Sequence, residues 1–243
     1  MGQTLVVTDP LAVLSQLEGV PSAIVSARDA VDAVLRDRGM RTVSAEQSAT
    51  ALLAGARASA SLTEDPDRWL AGSVRLSTEL ITLSRLIRVA PNQALARAHS
   101  LLAHGEVPDA ELGRVRAGDG IADRVLGLAT LLAGTTTASA IVVGAVAHAE
   151  LATVAPFGSA DGVVARAVEH MVLIDGGVDP GAVLVPEAGH LALRDSYDSA
   201  LSGYRSGSVT GVRDWLLHCA RALAHGAEVS PVSPGTSRGR LPR

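Results

Sequence analysis

The chain has 243 residues, enough to bury a core as one domain, and 47% of them are apolar. Aromatic residues make up only 2%, so that core has to be built from Leu, Val, Ala and Ile. All 21 basic residues are arginine and the net charge is −4, with no clustered basic face, which excludes the electrostatic footprint of a nucleic-acid binder.

In chain order, Ser22 follows Pro21 and caps a helix predicted over 22–39. Its apolar positions Ile24, Ala27, Val31, Val34 and Leu35 keep a helical period, and Gly39 stops it. Ser44 opens the next helix, with Glu46 and Gln47 in the first turn, and the helix runs towards Ser61. The acidic stretch 63–68, with Pro66 inside it, reads as a turn. Helices follow at about 73–88, 91–104, 120–133, 138–154, 162–175, 186–207 (broken near Gly189) and 211–226. Pro91 and Pro186 stand where a first-turn proline is tolerated, and Gly105, Gly176 and Gly226 where helices end. Residues 106–119, with Pro108, Gly113 and Gly118, read as a loop or a short β-hairpin. The stretch 230–243 is rich in Pro, Gly, Ser and Arg without apolar periodicity and reads as a disordered tail. The expected class is all-α, with a helical extension over 1–72 and a main helical domain over 73–229.

The single cysteine, Cys219, excludes an internal disulfide framework and, set in an apolar helix, reads as core packing. The longest apolar run, 138–147, has ten residues, too short to span a bilayer, so no membrane contact is expected and a cytoplasmic location is the default. His99 and His104 are not on one helical face, and His218–Cys219 has no second pair to complete a metal site, so no metal site is expected. Glu187 and His190, three apart near a helix start, can face each other. Neither a GxSxG elbow, a P-loop nor a Rossmann fingerprint is present.

Residues 148–166, HAELATVAPFGSADGVVAR, carry the strongest signal. An apolar helix runs into a loop of small residues and a second helix begins, an arrangement that presents unpaired N–H groups to an anion. The loop resembles that of the Fic/Doc (Fido) fold, HPFx(D/E)GNGRxxR, matching it at Pro156, Phe157, Gly162 and Arg166. The flanking runs ALARAHSLLAHG, LGRVRAG (with Val115 where Tyr is usual) and YDSALSGYRSGSVTGVRDWLLHCARAL resemble further family segments, so the likeness spans roughly 75–225. It implies a Fic-like helical domain in which 106–119 would be the flap.

The same resemblance argues against the family's AMP transfer from ATP. Ala155 stands at the general-base histidine, Ser159 at the acidic Mg²⁺ ligand, Ala160 at a glycine, Asp161 at the asparagine and Val163 at the first arginine. Losing a general base alone costs about 10²–10⁴ in rate, and an arginine at a transferring phosphoryl group is worth on the order of 10³–10⁵. No catalytic residue is therefore assigned. Phe157, Gly158, Ser159, Ala160, Asp161, Gly162 and Arg166 are the candidate binding residues for a nucleotide or other phosphate-bearing molecule, and the family likeness is the only ground for ATP or AMP with Mg²⁺. Two routes would keep an enzyme: Asp161 holding a metal, or His170 acting on a ligand. Ala60–Asp65 loosely resembles the family's inhibitory pattern (S/T)xxxE(G/N), which would pair Glu64 with Arg166. Three functions stay open: a pseudoenzyme that binds a protein partner or a phosphate-bearing ligand, a divergent transferase onto a protein hydroxyl, and a plain helical interaction module.

Overall fold

The computed structural model describes residues 9–36 and 43–232, and within them the chain is all-α, with twelve α-helices and no strand. In order these are α1 (Pro10–Leu14), α2 (Val20–Arg36), α3 (Ala45–Ser61), α4 (Pro66–Thr78), α5 (Leu80–Ser84), α6 (Pro91–Ala103), α7 (Ile121–Ala133), α8 (Ala140–Val154), α9 (Asp161–Asp175), α10 (Pro186–Ala192), α11 (Arg194–Arg205) and α12 (Val209–Glu228). The cap of α3 is the capping box its sequence suggests: the Gln47 amide donates to Ser44 Oγ, and the Ser44 amide donates back to Gln47 Oε1. Pro91 and Pro186 open α6 and α10.

Three expectations change. Residues 63–68 are not all turn: Pro66 is the first residue of α4, capped by Asp65, and the helix expected over 73–88 is two helices hinged at Glu79. Residues 106–119, read as a loop or a short β-hairpin, form the loop, with one 3₁₀ turn (Asp109–Glu111). The break between α10 and α11 lies at Leu193, not near Gly189. Gly39 and residues 233–243 of the expected tail fall outside the described residues; Ser230, where that tail was set to begin, donates to Val183 O at 2.7 Å.

The centre of the molecule is the α8–α9 hairpin. Thirteen of the fifteen residues of α9 are buried. Residues with so few solvated positions show no amphipathic stripe, and the helix is enclosed on all sides. On one flank α9 packs with α5 and α6 around Leu83, Ile87, Leu95, Leu102 and Met171. On the other, α12 packs with α2 and α10 around Val31, Val183, Leu184 and Leu223. The N-terminal helices are thus integral to the body: α2 lies on α12, and α3 on α4, α9 and α10. Among the described residues, no helix is long and apolar enough to cross a membrane.

The turn leaving α9 is pinned by a buried ion cluster. Asp179 accepts from the Val183 and Leu184 amides, and His170 spans Asp179 and Glu187 at 3.0 Å each. Burial opposes charge on His170, but Glu187 and Asp179 outweigh it and push its pKa up to about 10. His170 is therefore an imidazolium facing away from the 155–160 loop, committed to structure.

One contact between helices demands glycine. A Cβ on Gly189 would overlap the Ala222 carbonyl, which lets α10 lie directly on α12, whereas one on Gly127, exposed on α7, would meet nothing. Gly189→Ala should lower stability by about 3 kcal/mol or more through backbone displacement, while Gly127→Ala should raise it by about 0.5–1 kcal/mol. Chemical denaturation of the two variants reads both signs.

Candidate functional site

Helix α8 ends where Ala155 turns left-handed (φ 48°), and α9 begins after Ala160 does the same (φ 51°). Between them Gly158 also has positive φ. Three left-handed residues in six fold the loop tightly between the two helices; the alanines each hold a conformation that costs roughly 1–2 kcal/mol. Arg116, from the 106–119 segment, clamps the loop from outside. Its Nε donates to Ala155 O at 2.7 Å, its Nη2 to Val154 O at 3.2 Å, and its amide to Pro156 O at 2.8 Å. A cation is favourable at this C-terminus of α8.

The anion position of the loop is filled from within. The Asp161 carboxylate accepts from the Phe157 amide at 2.8 Å and is also held by the amides of Gly158 and of Asp161 itself. Burial nonetheless outweighs these bonds and raises its pKa to about 6. Ser159 is engaged too: its Oγ lies 3.0 Å from His99 Nε2, while His99 Nδ1 accepts from the Gly113 amide. A neutral imidazole whose Nδ1 accepts must carry its proton on Nε2, so His99 donates to Ser159 and cannot be the base of a Ser–His dyad. Burial also lowers the His99 pKa, which favours this neutral form. Its ring stacks on Phe157 (4.3 Å, 7°), so both are packed under the loop. Val163, at the motif's first arginine, is buried in the core.

Arg166 is 2% exposed and, among the described residues, its guanidinium is held by neutral partners. Nε donates to Ser59 Oγ at 2.8 Å, Nη2 to Ser59 O at 2.9 Å and Nη1 to Tyr197 OH at 3.1 Å. Gly162 lies beside it: a Cβ there would make van der Waals contact with Nη1 at 3.4 Å. The expected Glu64–Arg166 pair is absent among the described residues. Glu64 is exposed and shares with Arg166 only the wall of a cleft of about 390 Å³, which Asp65, Arg68, Trp69, Asp161 and Tyr197 also line. Helix α4 starts at Pro66, so the chain turns away before Glu64 reaches inward.

Beneath Arg166 lies a polar cluster that no single motif announces. His148 Nδ1 lies 2.6 Å and His190 Nε2 2.8 Å from Glu169 Oε2. His148 Nε2 is 2.7 Å from Tyr197 OH, His190 Nδ1 is 3.2 Å from His218 Nε2, and His218 Nδ1 is 3.3 Å from Ser196 Oγ. Trp215 closes the box, its edge on the His148 ring at 4.9 Å and its Nε1 donating to Ala145 O. Burial pushes His148 down to about 4 and His218 to about 3, so both are neutral. Burial alone would raise Glu169, but His190 and His148 hold its carboxyl well below the usual range. Glu187 and His190 do not face each other: the first serves His170, the second Glu169. His148 was noticed only as a companion of the loop. The other members are single residues on α9, α10, α11 and α12, and nothing in their local sequence marks them.

No family model matches the sequence, and no curated protein matches it. Among solved structures, the chain is similar to the crystal structure of a Fic family protein from Desulfovibrio desulfuricans G20, with a TM-score of 0.60 and 15% identity over 90% of this chain and 76% of that one. At that identity the likeness establishes the fold: helices in a Fic-like arrangement.

Two variants separate the holding of Arg166 from the absent pair. Ser59→Ala should cost about 2 kcal/mol, because it strips an acceptor from a buried guanidinium. Glu64→Ala should stay within about 0.5 kcal/mol of the parent. Urea denaturation at neutral pH distinguishes them.

Proposed function

We propose that this chain is a Fic-like pseudoenzyme, a scaffold that keeps the helix–loop–helix cradle but not the chemistry of AMP transfer, and that its cleft serves to bind a protein partner or a phosphate-bearing ligand. The observation that carries the reading is the Asp161 carboxylate on the loop amides, where a phosphate oxygen would otherwise go. Three further features support it. Ala155 offers no proton acceptor, Ser159 is committed to His99, and Val163 is core. None of the three supplies the carboxylate oxygen that Mg²⁺ prefers.

The cleft itself is of a size that suits a ligand, since small-molecule sites span roughly 300–1,000 Å³. Arg166 has five N–H donors and uses three on Ser59 and Tyr197, so it retains capacity towards an anion in that cleft. The acidic rim of Glu64, Asp65 and Asp161 works against a highly charged triphosphate. A divergent transferase would require Asp161 to leave the loop amides and take a metal.

Calorimetry with ATP, ADP and AMP, with and without Mg²⁺, beside Arg166→Ala, tests the proposal. The expected outcome is no Mg²⁺-dependent tightening for ATP and no adenylate transfer to protein. Tight Mg²⁺-dependent binding lost in the variant would restore the transferase.

Asp161 gives a second, independent test. Its folded pKa lies above its ordinary value of 3.8, so the folded state favours the protonated acid. Ionisation then costs stability progressively as pH rises from about 4 through about 6, up to roughly 2–3 kcal/mol at neutrality. Asp161→Asn keeps an acceptor for the Phe157 amide and removes that charge. The variant should be more stable than the parent at pH 7.5 and should lose most of this advantage near pH 4, while binding sulfate more tightly at neutral pH. A variant weaker than its parent at pH 7.5 would contradict the assignment.

A further inference from the structure

The buried cluster under Arg166 has the composition of a metal centre. His148, Glu169, His190 and Cys219 each offer one ligand atom, all four atoms lie within 4.8 Å of one another, and all four residues are buried. They come from α8, α9, α10 and α12, which the core packing already holds together. We infer that these four residues form a closed, tetrahedral site for a divalent transition-metal ion of the zinc type, placed behind the loop and separate from it.

The donor set fits that chemistry. Two imidazoles, one carboxylate and one thiolate make a mixed N/O/S shell of the kind borderline-soft Zn²⁺ accepts, and four protein ligands with no open position is the structural rather than the catalytic pattern. The charges close: a divalent ion with the Glu169 carboxylate and a Cys219 thiolate is neutral overall, which a dry core requires. Without an ion, burial holds the Cys219 thiol far up; on binding, the thiol proton leaves to solvent and the sulfur ligates.

The surroundings also fit. In each histidine, the ring nitrogen turned away from Glu169 already has a polar partner, Tyr197 OH for His148 and His218 Nε2 for His190. Metal-bound imidazoles are ordinarily oriented by donating the second N–H to such a partner, which at His148 requires the Tyr197 oxygen to accept from Nε2 as well as from Arg166. At His190 the bonding runs in the direction a metal needs. Ser196 Oγ donates to Leu193 O at 3.1 Å, which leaves it an acceptor for His218 Nδ1–H. His218 Nε2 then accepts from His190 Nδ1–H, so the His190 nitrogen that faces Glu169 is Nε2, which can hold either a proton or a metal ion. A proton bridges that nitrogen and the Glu169 carboxylate in the metal-free chain, and a metal ion takes its place. At 2.6 and 2.8 Å the nitrogen–oxygen gaps are shorter than the roughly 3.4 Å between tetrahedral ligands of Zn²⁺. Loading therefore moves the Glu169 carboxylate by about half an ångström and draws the widest pair of the set, up to 4.8 Å apart, in towards the roughly 3.5 Å of a tetrahedral shell.

The test uses the full chain expressed with added zinc, freed of loose metal by gel filtration, and read by elemental analysis. One zinc per chain is expected. The protein unfolded in chelator and refolded with Co²⁺ should show a thiolate-to-cobalt charge-transfer band in the near ultraviolet and strong tetrahedral visible bands. Cys219→Ser should abolish the charge-transfer band, and His190→Gln should weaken retention of the metal at least about tenfold. If Cys219→Ser does not fold, the cobalt spectrum of the parent chain decides alone. Substoichiometric metal in both the isolated and the zinc-refolded protein, or a cobalt form without the thiolate band, overturns the site. Loss of this site leaves the pseudoenzyme proposal standing, since the latter is read from nucleotide and sulfate binding.

Discussion

A buried guanidinium organises this molecule. Arg166 projects from the most enclosed helix, and it is satisfied only because α3 brings Ser59 and α11 brings Tyr197 to meet it. A charge taken out of water is tolerated when hydrogen bonds replace its hydration. Here those bonds tie the N-terminal helices and the C-terminal helices to the α8–α9 hairpin at one point. Arg166 thereby fastens the fold.

From that point a continuous polar path runs inward. Tyr197 OH joins Arg166 to His148, Glu169 joins His148 to His190, and His218 and Ser196 extend the path to the edge of α11. In the metal-free chain the positive charge of Arg166 and the negative charge of Glu169 face each other across two intervening rings rather than in contact. The low aromatic content makes this concentration informative. The tyrosine and tryptophan at its centre, with three of the histidines, gather in one box around α8, α11 and α12. Buried networks of this sort persist only where their members are satisfied together.

Much of the fold was readable locally. Ser44 with Gln47, Pro91, Pro186 and the period of α2 each announce an element through chemistry confined to a few residues. The loop at 155–160 was readable as well, because its small residues and following helix are a local pattern. The hinge at Glu79 was not, since apolar residues continue across it and only packing of α5 against α9 breaks the helix. Ser59 looked like one more small residue in an Ala-rich helix, and its role exists only opposite Arg166. His190 and Cys219 each had an ordinary local explanation, nothing local marks Glu169, and the meaning of all three arises from tertiary proximity. Glu64 shows the reverse error, a local pattern without the geometry to express it.

The carboxylate seated on the loop amides has a thermodynamic meaning of its own. It is a tethered ligand, and tethering confers an effective concentration in about the millimolar range or above. Proteins whose phosphate cradles stand empty gain cohesion when a free anion arrives, in proportion to its abundance. This loop carries the Asp161 carboxyl along its own backbone, so its order does not wait on an anion from outside.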